Sequence, residues 1–267
     1  MIEIACLDFL YAESNNYDDK ISTSHTDTCK NIDTLEYDVD LIISALNSFR
    51  KEISSPLDRE YIDALALINC ALESKPGNAK LIYERARTHQ KVGQFQRAVT
   101  DYDVVLSMDN PLPRWWVSRG LALAGLGEKE EAIRSFDQAI KLGPGDPSGY
   151  YARGSLLASM GDLLAALSDL DKAIDVAEVA SERVEIKETR GIVRAALGDY
   201  EGGIEDYTSI LSVVPGHAPT LEKRGSAYAA IGRNKEAIAD YERALEIDPD
   251  NEDIRESLEE VRSRLDP

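Results

Sequence analysis

The sequence predicts an all-α protein, a solenoid of helix pairs, and three observations lead to this fold class. A pair of small residues seven positions apart, usually two glycines, returns about every 34 residues. Apolar residues within a repeat follow helical spacing, as Ala132, Phe136 and Ile140 do. Proline returns near the end of the repeat, at Pro144, Pro215 and Pro249. A fixed period between about 20 and 50 residues is typical of solenoids and related arrays.

Each repeat is predicted to hold two helices. Five repeats start at Ala79, Pro113, Pro147, Val184 and Ala218. A small residue at position 8 (Ala86, Gly120, Gly154, Gly191 and Gly225) and another at position 20 allow the two helices to cross closely. The glycine at position 15 is predicted to end the first helix, because a positive φ after a helix favours glycine. Proline at position 32 stops the second helix.

The segments on either side of the repeats are predicted to be separate parts. Residues 1–37 form an acidic N-terminal arm, and residues 38–78 form a divergent repeat or cap that ends near Pro76. The five repeats occupy residues 79–251. Residues 252–267 form a C-terminal capping helix, whose charged outer face suits the exposed end of an array.

One step between repeats is irregular. Gly191 follows Gly154 by 37 residues, so three residues are inserted, and we place the insertion near residues 176–181. No glycine or proline lies between Gly161 and Gly191. The sequence therefore predicts a long second helix in the third repeat.

The repeat resembles the tetratricopeptide repeat, whose signature spreads W-x2-L-G-x2-Y, A-x3-F and P over 34 residues. The residues at position 4 are Ile82, Trp116, Tyr150, Lys187 and Leu221, and those at position 24 are Tyr102, Phe136, Leu170, Tyr207 and Tyr241. The resemblance covers roughly residues 45–251, and the fourth repeat departs most, with Lys187 and Gly203 at two signature positions. It implies a right-handed superhelical solenoid of antiparallel helix pairs, with the first helices lining a concave groove.

Composition limits the classes of function. The formal net charge is −19, which disfavours nucleic acid and anionic membranes as partners, because phosphate binding depends on Lys and Arg. No stretch is apolar enough to span a bilayer. We see no signal peptide, and three cysteines without C-x-x-C spacing are simplest in a reducing compartment, so we expect a cytoplasmic protein.

The sequence offers no arrangement of catalytic residues. His25, His89 and His217 lie far apart, so no metal site is expected. The Gly125–Gly127 segment lacks the following Gly-Lys-Ser/Thr of a phosphate loop. We therefore predict that the chain is not an enzyme and needs no cofactor.

An arginine stands at position 7 of every repeat, with an aspartate 16 residues later in all but the second repeat. The arginines are Arg85, Arg119, Arg153, Arg190 and Arg224. We interpret the pairs as ion pairs of the scaffold, with a row of exposed ligands as the alternative. Ser135 replaces the aspartate in the second repeat, so Arg119 is predicted to be freer and to point outward.

The resemblance places a partner-binding groove on the first helices. The predicted contact residues are Lys80, Tyr83, Arg87, Lys91, Arg114, Trp115, Val117, Leu121 and Tyr151. For Trp115 two alternatives stay open: an exposed interface anchor or a ring buried between helices. The N-terminal end of this groove is basic and its C-terminal end acidic. The residues that match the carboxylate clamp of cochaperones of this family do not carry its Lys/Asn pattern.

We therefore predict a cytoplasmic protein–protein interaction scaffold that binds a partner protein or peptide in this groove, and we expect the bound segment to be acidic or aromatic. The alternative is a regulatory adaptor that is inhibited by its own acidic N-terminal arm. In that alternative Asp18, Asp19, Asp27, Asp33 and Glu36 cover the basic residues until a partner displaces them.

Overall fold

A computed structural model describes residues 59–264, together with the helical residues Val39 and Ile43. The predicted acidic arm, residues 1–37, lies outside the described residues. Twelve helices are present in the described part, and no strand occurs there. The chain is an all-α solenoid of helix pairs.

Helix α1, Arg59–Ser74, precedes the repeats. The helix pairs are α2 Ala79–Lys91 with α3 Phe95–Leu106, α4 Pro113–Gly125 with α5 Lys129–Leu142, α6 Pro147–Ser159 with α7 Leu163–Val176, α8 Ala180–Ala196 with α9 Tyr200–Val213, and α10 Ala218–Ala230 with α11 Asn234–Ile247. Helix α12, Glu252–Ser263, follows them. The division into arm, cap and repeats stays a prediction.

The turn inside each pair is built around the position-15 glycine. Gly93, Gly127, Gly161, Gly198 and Gly232 have φ between 77° and 84°. The residue after each glycine donates its backbone N–H to a carbonyl five residues earlier, as Glu128 does to Leu123 at 2.9 Å. This is the hydrogen bond of a helix that ends in a left-handed residue, so the predicted helix stop is confirmed.

The small residue at position 8 is needed because the paired helices meet there. A Cβ on Gly120 would lie 2.4 Å from Phe136 Cε1, and one on Gly191 would lie 2.7 Å from Tyr207 Cε1. Both rings are almost fully buried. The position-24 side chain therefore packs directly on the backbone of the first helix, which confirms the predicted close crossing.

The chain divides into two compact units, Met1–Leu142 and Gly143–Pro267. The described part of the first unit holds α1 to α5, with Tyr61, Leu81 and Tyr102 among its fully buried side chains. The second unit holds α6 to α12. One of its apolar clusters includes Leu170 and Ile186, and another joins Tyr241 to Leu258 of α12.

The insertion near residues 176–181 does not lengthen the second helix of the third repeat, contrary to our prediction. Helix α7 has 14 residues, the same as α5, so the prediction of a long second helix in the third repeat is wrong. Helix α8 is the long one, with 17 residues against 13 in the other first helices. Helix α7 ends at Val176 although no glycine or proline follows it, because Ala177 and Val179 adopt extended ψ values of 122° and 132°.

Helix α12 follows the fifth pair, in the position that the first helix of a sixth repeat would take. Asn251 accepts a hydrogen bond from the backbone N–H of Ile254 at 3.1 Å, which caps its N-terminus. Ile254, Leu258 and Val261 are buried against the preceding pair, whereas Glu256, Glu259 and Glu260 are exposed. One face of the helix is therefore apolar and packed, and the other is acidic.

Candidate functional site

The position-7 arginines are structural in four of the five repeats. Arg85, Arg153, Arg190 and Arg224 each bind the aspartate of their own second helix through Nε and Nη2, with distances of 2.6–2.9 Å. The aspartates are Asp101, Asp169, Asp206 and Asp240, and all are buried. This bidentate geometry confirms the interpretation as scaffold ion pairs.

Three of these four arginines also reach the second helix that precedes their own repeat. Arg85 donates to Asn69 Oδ1 at 3.2 Å, Arg190 to Asp171 Oδ1 at 2.6 Å, and Arg224 to Thr208 Oγ1 at 3.1 Å. One guanidinium thus holds three helices together. This second contact was not predicted, although a polar residue 16 or 19 positions before each of these arginines was available as a signal.

Arg119 of the second repeat does not point outward. Its Nε donates to Asp103 Oδ1 at 2.6 Å and its Nη1 to Ser135 Oγ at 2.8 Å, and its side chain is only 19% exposed. The prediction of an outward Arg119 is therefore wrong, because Asp103 on the preceding second helix supplies the carboxylate that Ser135 lacks.

Tyr83 is the centre of the predicted groove residues in the first unit. Its ring centroid lies 5.9 Å from that of Trp115 and 5.8 Å from that of Tyr102. Its hydroxyl is 3.0 Å from Ser118 Oγ, and the guanidinium carbon of Arg87 lies 5.8 Å from the ring centroid. The structure therefore brings Tyr83, Arg87 and Trp115 together between α2 and α4.

Trp115 is 6% exposed, so the buried alternative is the one that the structure shows. The ring packs against Tyr83, and its Nε1–H has no acceptor within the described part of the chain. Trp115 is a buried residue that packs beneath Tyr83, and it is not an exposed anchor for a partner. Position 3 of the repeat gave no indication of this packing, because the contact depends on the tyrosine of the neighbouring repeat.

Most of the other predicted residues in the first unit are exposed or half-buried on α2 and α4. Lys80, Lys91 and Arg114 are exposed, Leu121 is 46% exposed, and Val117 is half-buried. Tyr151 belongs to the second unit, where its hydroxyl lies 3.4 Å from Thr189 Oγ1. We define the cationic face as Lys80, Arg87, Lys91 and Arg114, all in the first unit.

Adjacent first helices share a contact that the sequence analysis missed. Position 5 of one repeat bonds position 6 of the next, as Tyr83 does with Ser118 and Tyr151 with Thr189. The fourth and fifth repeats use an ion pair instead, with Lys223 Nζ 3.1 Å from Glu188 Oε1. The residue types at these two positions were a usable signal, since each pair is chemically matched.

A buried histidine lies between α1 and α2. His89 Nδ1 is 2.9 Å from the Tyr61 hydroxyl and 3.2 Å from Gln94 Oε1. Burial lowers the pKa of His89 to about 4, against an opposing contribution from Asp101. A pocket of about 280 Å³ opens beside it, lined in part by Arg85 and Arg97. The imidazole is therefore a neutral part of the core at physiological pH.

Among the residues that the structure describes, no group of three or more His, Cys, Asp or Glu side chains is arranged to hold a metal ion. Among those same residues, no helix has the length and hydropathy of a membrane span.

Comparison with protein families matches the repeats that this geometry defines. Residues 83–147 and 147–179 match tetratricopeptide repeat profiles, and residues 225–259 match a TPR repeat profile. The chain is a tetratricopeptide repeat protein. The fourth repeat, which departs most from the signature, lies between the second and third of these matches.

Two curated relatives each match between 34% and 38% of the chain. Hsc70-interacting protein 1 of Drosophila melanogaster is 30% identical over 101 residues, which are 38% of this chain and 27% of that protein. The Protein SGT1 homolog of Oryza sativa subsp. japonica is 27% identical over 90 residues, 34% of this chain and 24% of that protein. The chain thus spans about a quarter of the length of these relatives.

A solved structure supports the fold. The type IV pilus biogenesis factor PilW matches with a TM-score of 0.68 and 18% sequence identity, over 82% of this chain and 97% of the PilW chain. At this identity the match concerns the tetratricopeptide fold alone.

Proposed function

We propose that this tetratricopeptide repeat protein is a non-enzymatic interaction scaffold. It binds an acidic or aromatic segment of a partner protein on the first helices of its first unit. The observation that carries the proposal is the cationic face, four basic side chains on α2 and α4, one of them over the Tyr83 ring, in a chain of net charge −19. A concentrated basic surface on an acidic protein favours an acidic ligand through charge-assisted hydrogen bonds.

The basic side chains differ in how they are held. Arg87 is oriented over the Tyr83 ring, and its Nη1 lies 3.5 Å from Glu84 Oε1. Lys91 and Arg114 are exposed, and neither has an ion-pair partner within residues 59–264. These two side chains therefore offer the most accessible charge to a ligand.

Helix α4 adds an apolar strip beside the charges. Arg114, Val117 and Leu121 are separated by three and four residues, so they share one face of the helix. Leu121 is 46% exposed, so it adds apolar surface that a ligand can cover. A ligand with an acidic residue next to an apolar or aromatic residue matches this combination.

A peptide selection tests the proposal. A randomised peptide library is selected against the wild-type protein and against a Lys80→Glu/Arg87→Glu/Arg114→Glu variant. A Lys129→Glu/Lys141→Glu/Lys235→Glu variant is the matched control, because it changes the net charge equally at exposed lysines outside the cationic face. We expect peptides rich in Asp, Glu and aromatic residues with the wild type and the control, and their loss with the first variant.

The proposal fails if the selected peptides bind all three proteins equally or show no acidic enrichment. The name of the Drosophila relatives reports interaction with Hsc70, so Hsc70 is a suitable defined probe for the same three proteins. Binding of Hsc70 that survives reversal of the cationic face would place that interaction elsewhere on the chain.

A second candidate is an adaptor inhibited by its own N-terminal arm. Residues 1–60 contain 13 acidic and 5 basic residues, a net charge of −8 opposite in sign to the cationic face. The arm itself lies outside the described residues. Deletion of residues 1–37 should raise the affinity for the selected peptides if the arm competes, whereas an unchanged affinity would exclude this mechanism.

The cytoplasmic location also stays a proposal. It depends on the number and spacing of the cysteines, and one observation opposes it: Cys70 of α1 is disulfide-bonded, which is rare in a reducing compartment. Thiol counting on the protein isolated from its source cells under denaturing conditions tests this point. Three free thiols support the cytoplasm, and one supports an oxidising compartment.

A further inference from the structure

The second repeat contains a pocket beside Arg119, the position-7 arginine that lacks an aspartate on its own second helix. This pocket has a volume of about 430 Å³ and is lined by residues of α3, α4 and α5, among them Trp116, Arg119 and Ser135. It is separate from the cationic face, and the inference does not depend on the function proposed above. We propose that it binds the carboxylate side chain of an Asp or Glu in a partner protein.

The second repeat lacks the aspartate carboxylate that the other four repeats place against the position-7 arginine. In the first, third, fourth and fifth repeats, Nη2 of the position-7 arginine donates to the aspartate of its own second helix. In the second repeat that aspartate is Ser135, whose hydroxyl binds Nη1 instead. Nη2 of Arg119 consequently has no acceptor among the residues that the structure describes. The serine leaves both an unused donor and the space of a carboxylate.

A second donor at the same pocket also lacks an acceptor. The indole Nε1–H of Trp116 is shielded from solvent and makes no hydrogen bond within the described part of the protein. A buried donor without a partner raises the free energy of the folded protein, but this N–H has no surface open to the pocket, so the ligand carboxylate is bound by Arg119 and the indole ring only lines the site. The rest of the Trp116 ring gives the pocket an apolar wall for the methylene group of an acidic side chain.

The charges around the pocket permit an added carboxylate. Asp103 is bound to Arg119, and Glu131 is bound to Arg134, so two acidic and two basic side chains are already paired. Asp137, which also lines the pocket, has an interaction of its own. Three carboxylates and two guanidinium groups line the pocket, and Nη2 of Arg119 is a donor that remains available to an anion there.

The fourth repeat gives a precedent for two carboxylates on one such arginine. Arg190 binds Asp171 of the preceding second helix through Nη1 and Asp206 of its own second helix through Nε and Nη2. In the second repeat Asp103 occupies Nε of Arg119 and Ser135 occupies Nη1, so the ligand carboxylate takes Nη2 alone and not the Nε–Nη2 fork that Asp206 uses. A planar guanidinium with five donors has the geometry for both.

The test uses small probes and nuclear magnetic resonance. N-acetyl-aspartate methylamide is titrated into the ¹⁵N-labelled full chain, and the Trp116 Nε1–H and Arg119 Nε–H resonances are followed, with Trp115 Nε1–H as the internal reference. N-acetyl-asparagine methylamide controls for charge, and acetate represents a free carboxylate. We expect a saturable shift of the Trp116 and Arg119 signals with the aspartate probe, with a Kd in the range of about 1–100 mM.

Ser135→Asp is the decisive variant, since it supplies the carboxylate that the other repeats already carry at this position. It should fold and bind the aspartate probe at least about tenfold more weakly than the wild type. Arg119→Lys keeps the charge but removes the planar fork, and it should weaken binding similarly. No saturable shift in the wild type up to about 100 mM overturns the proposal. So does an equal shift in Ser135→Asp, or a response to acetate without a response to the aspartate probe.

Discussion

The neutral imidazole of His89 should make the stability of the protein depend on pH in a defined window. In the folded chain its pKa is about 4, against an ordinary value of 6.5. The unfolded chain therefore binds a proton between these values that the folded chain does not. The contribution of the neutral His89 to the free energy of unfolding is fully present above pH 6.5 and is lost as the pH falls toward 4. At 1.36 kcal/mol for each pH unit, the loss between pH 7.5 and pH 5.5 is about 1.3 kcal/mol.

The cause is local, so a single substitution isolates it. Tyr61 and Gln94 hold the imidazole by hydrogen bonds, and Asp101 only partly offsets the burial that disfavours its charged form. In His89→Gln the titrating group is absent. The variant should therefore lose about 1.3 kcal/mol less than the wild type over the same pH interval, whatever its stability at pH 7.5.

Urea unfolding followed by circular dichroism at pH 7.5 and pH 5.5 measures both proteins. A proton resonance titration of the His89 ring gives the folded pKa directly, with His217 as a second histidine for comparison. The reasoning is refuted if the ring titrates near pH 6.5. It is refuted equally if wild type and variant lose the same free energy between the two pH values.

Three further predictions concern the repeats and their ends. Gly161→Ala should cost about 1–2 kcal/mol in urea unfolding through its φ of 84° alone, because no atom lies within 4 Å of the added Cβ; a cost near zero would contradict this reading of the turn. Asp240→Ala should cost about 3–5 kcal/mol, since it leaves the Arg224 guanidinium without its bidentate partner, and a melting temperature equal to wild type would show that the pair is dispensable. Asn251→Ala should lower the stability of α12 by about 1 kcal/mol, measured by hydrogen exchange at its first turn, while unchanged protection there would argue against the cap.

The period of the sequence was enough to predict the helix pairs. Gly127 and its counterparts specify a conformation that other residues rarely adopt, and Gly120 specifies a distance between two helices. Both are local requirements, so they are visible in a single repeat. The Arg–Asp pairs were predictable for the same reason, because partner and spacing recur together.

The features that the sequence left open or predicted wrongly lie where neighbouring repeats meet. The burial of Trp115 depends on Tyr83, which belongs to the repeat before it, and Arg119 turns to Asp103 of that same repeat. An alignment of the repeats by position shows which residues recur, but it does not show which residues of neighbouring repeats touch each other. The early end of α7 is a third case, since extended backbone at Ala177 and Val179 ends the helix without any glycine or proline.

The position-7 arginine belongs energetically to two repeats at once. The stability of a linear array is approximately a sum of intrinsic terms for single repeats and coupling terms between nearest neighbours. Arg85, Arg190 and Arg224 bond their own second helix and also the preceding one, so part of their contribution is a coupling term. Strong coupling suppresses the fraying of a single repeat. Within each unit, neighbouring repeats should therefore open together as one cooperative block.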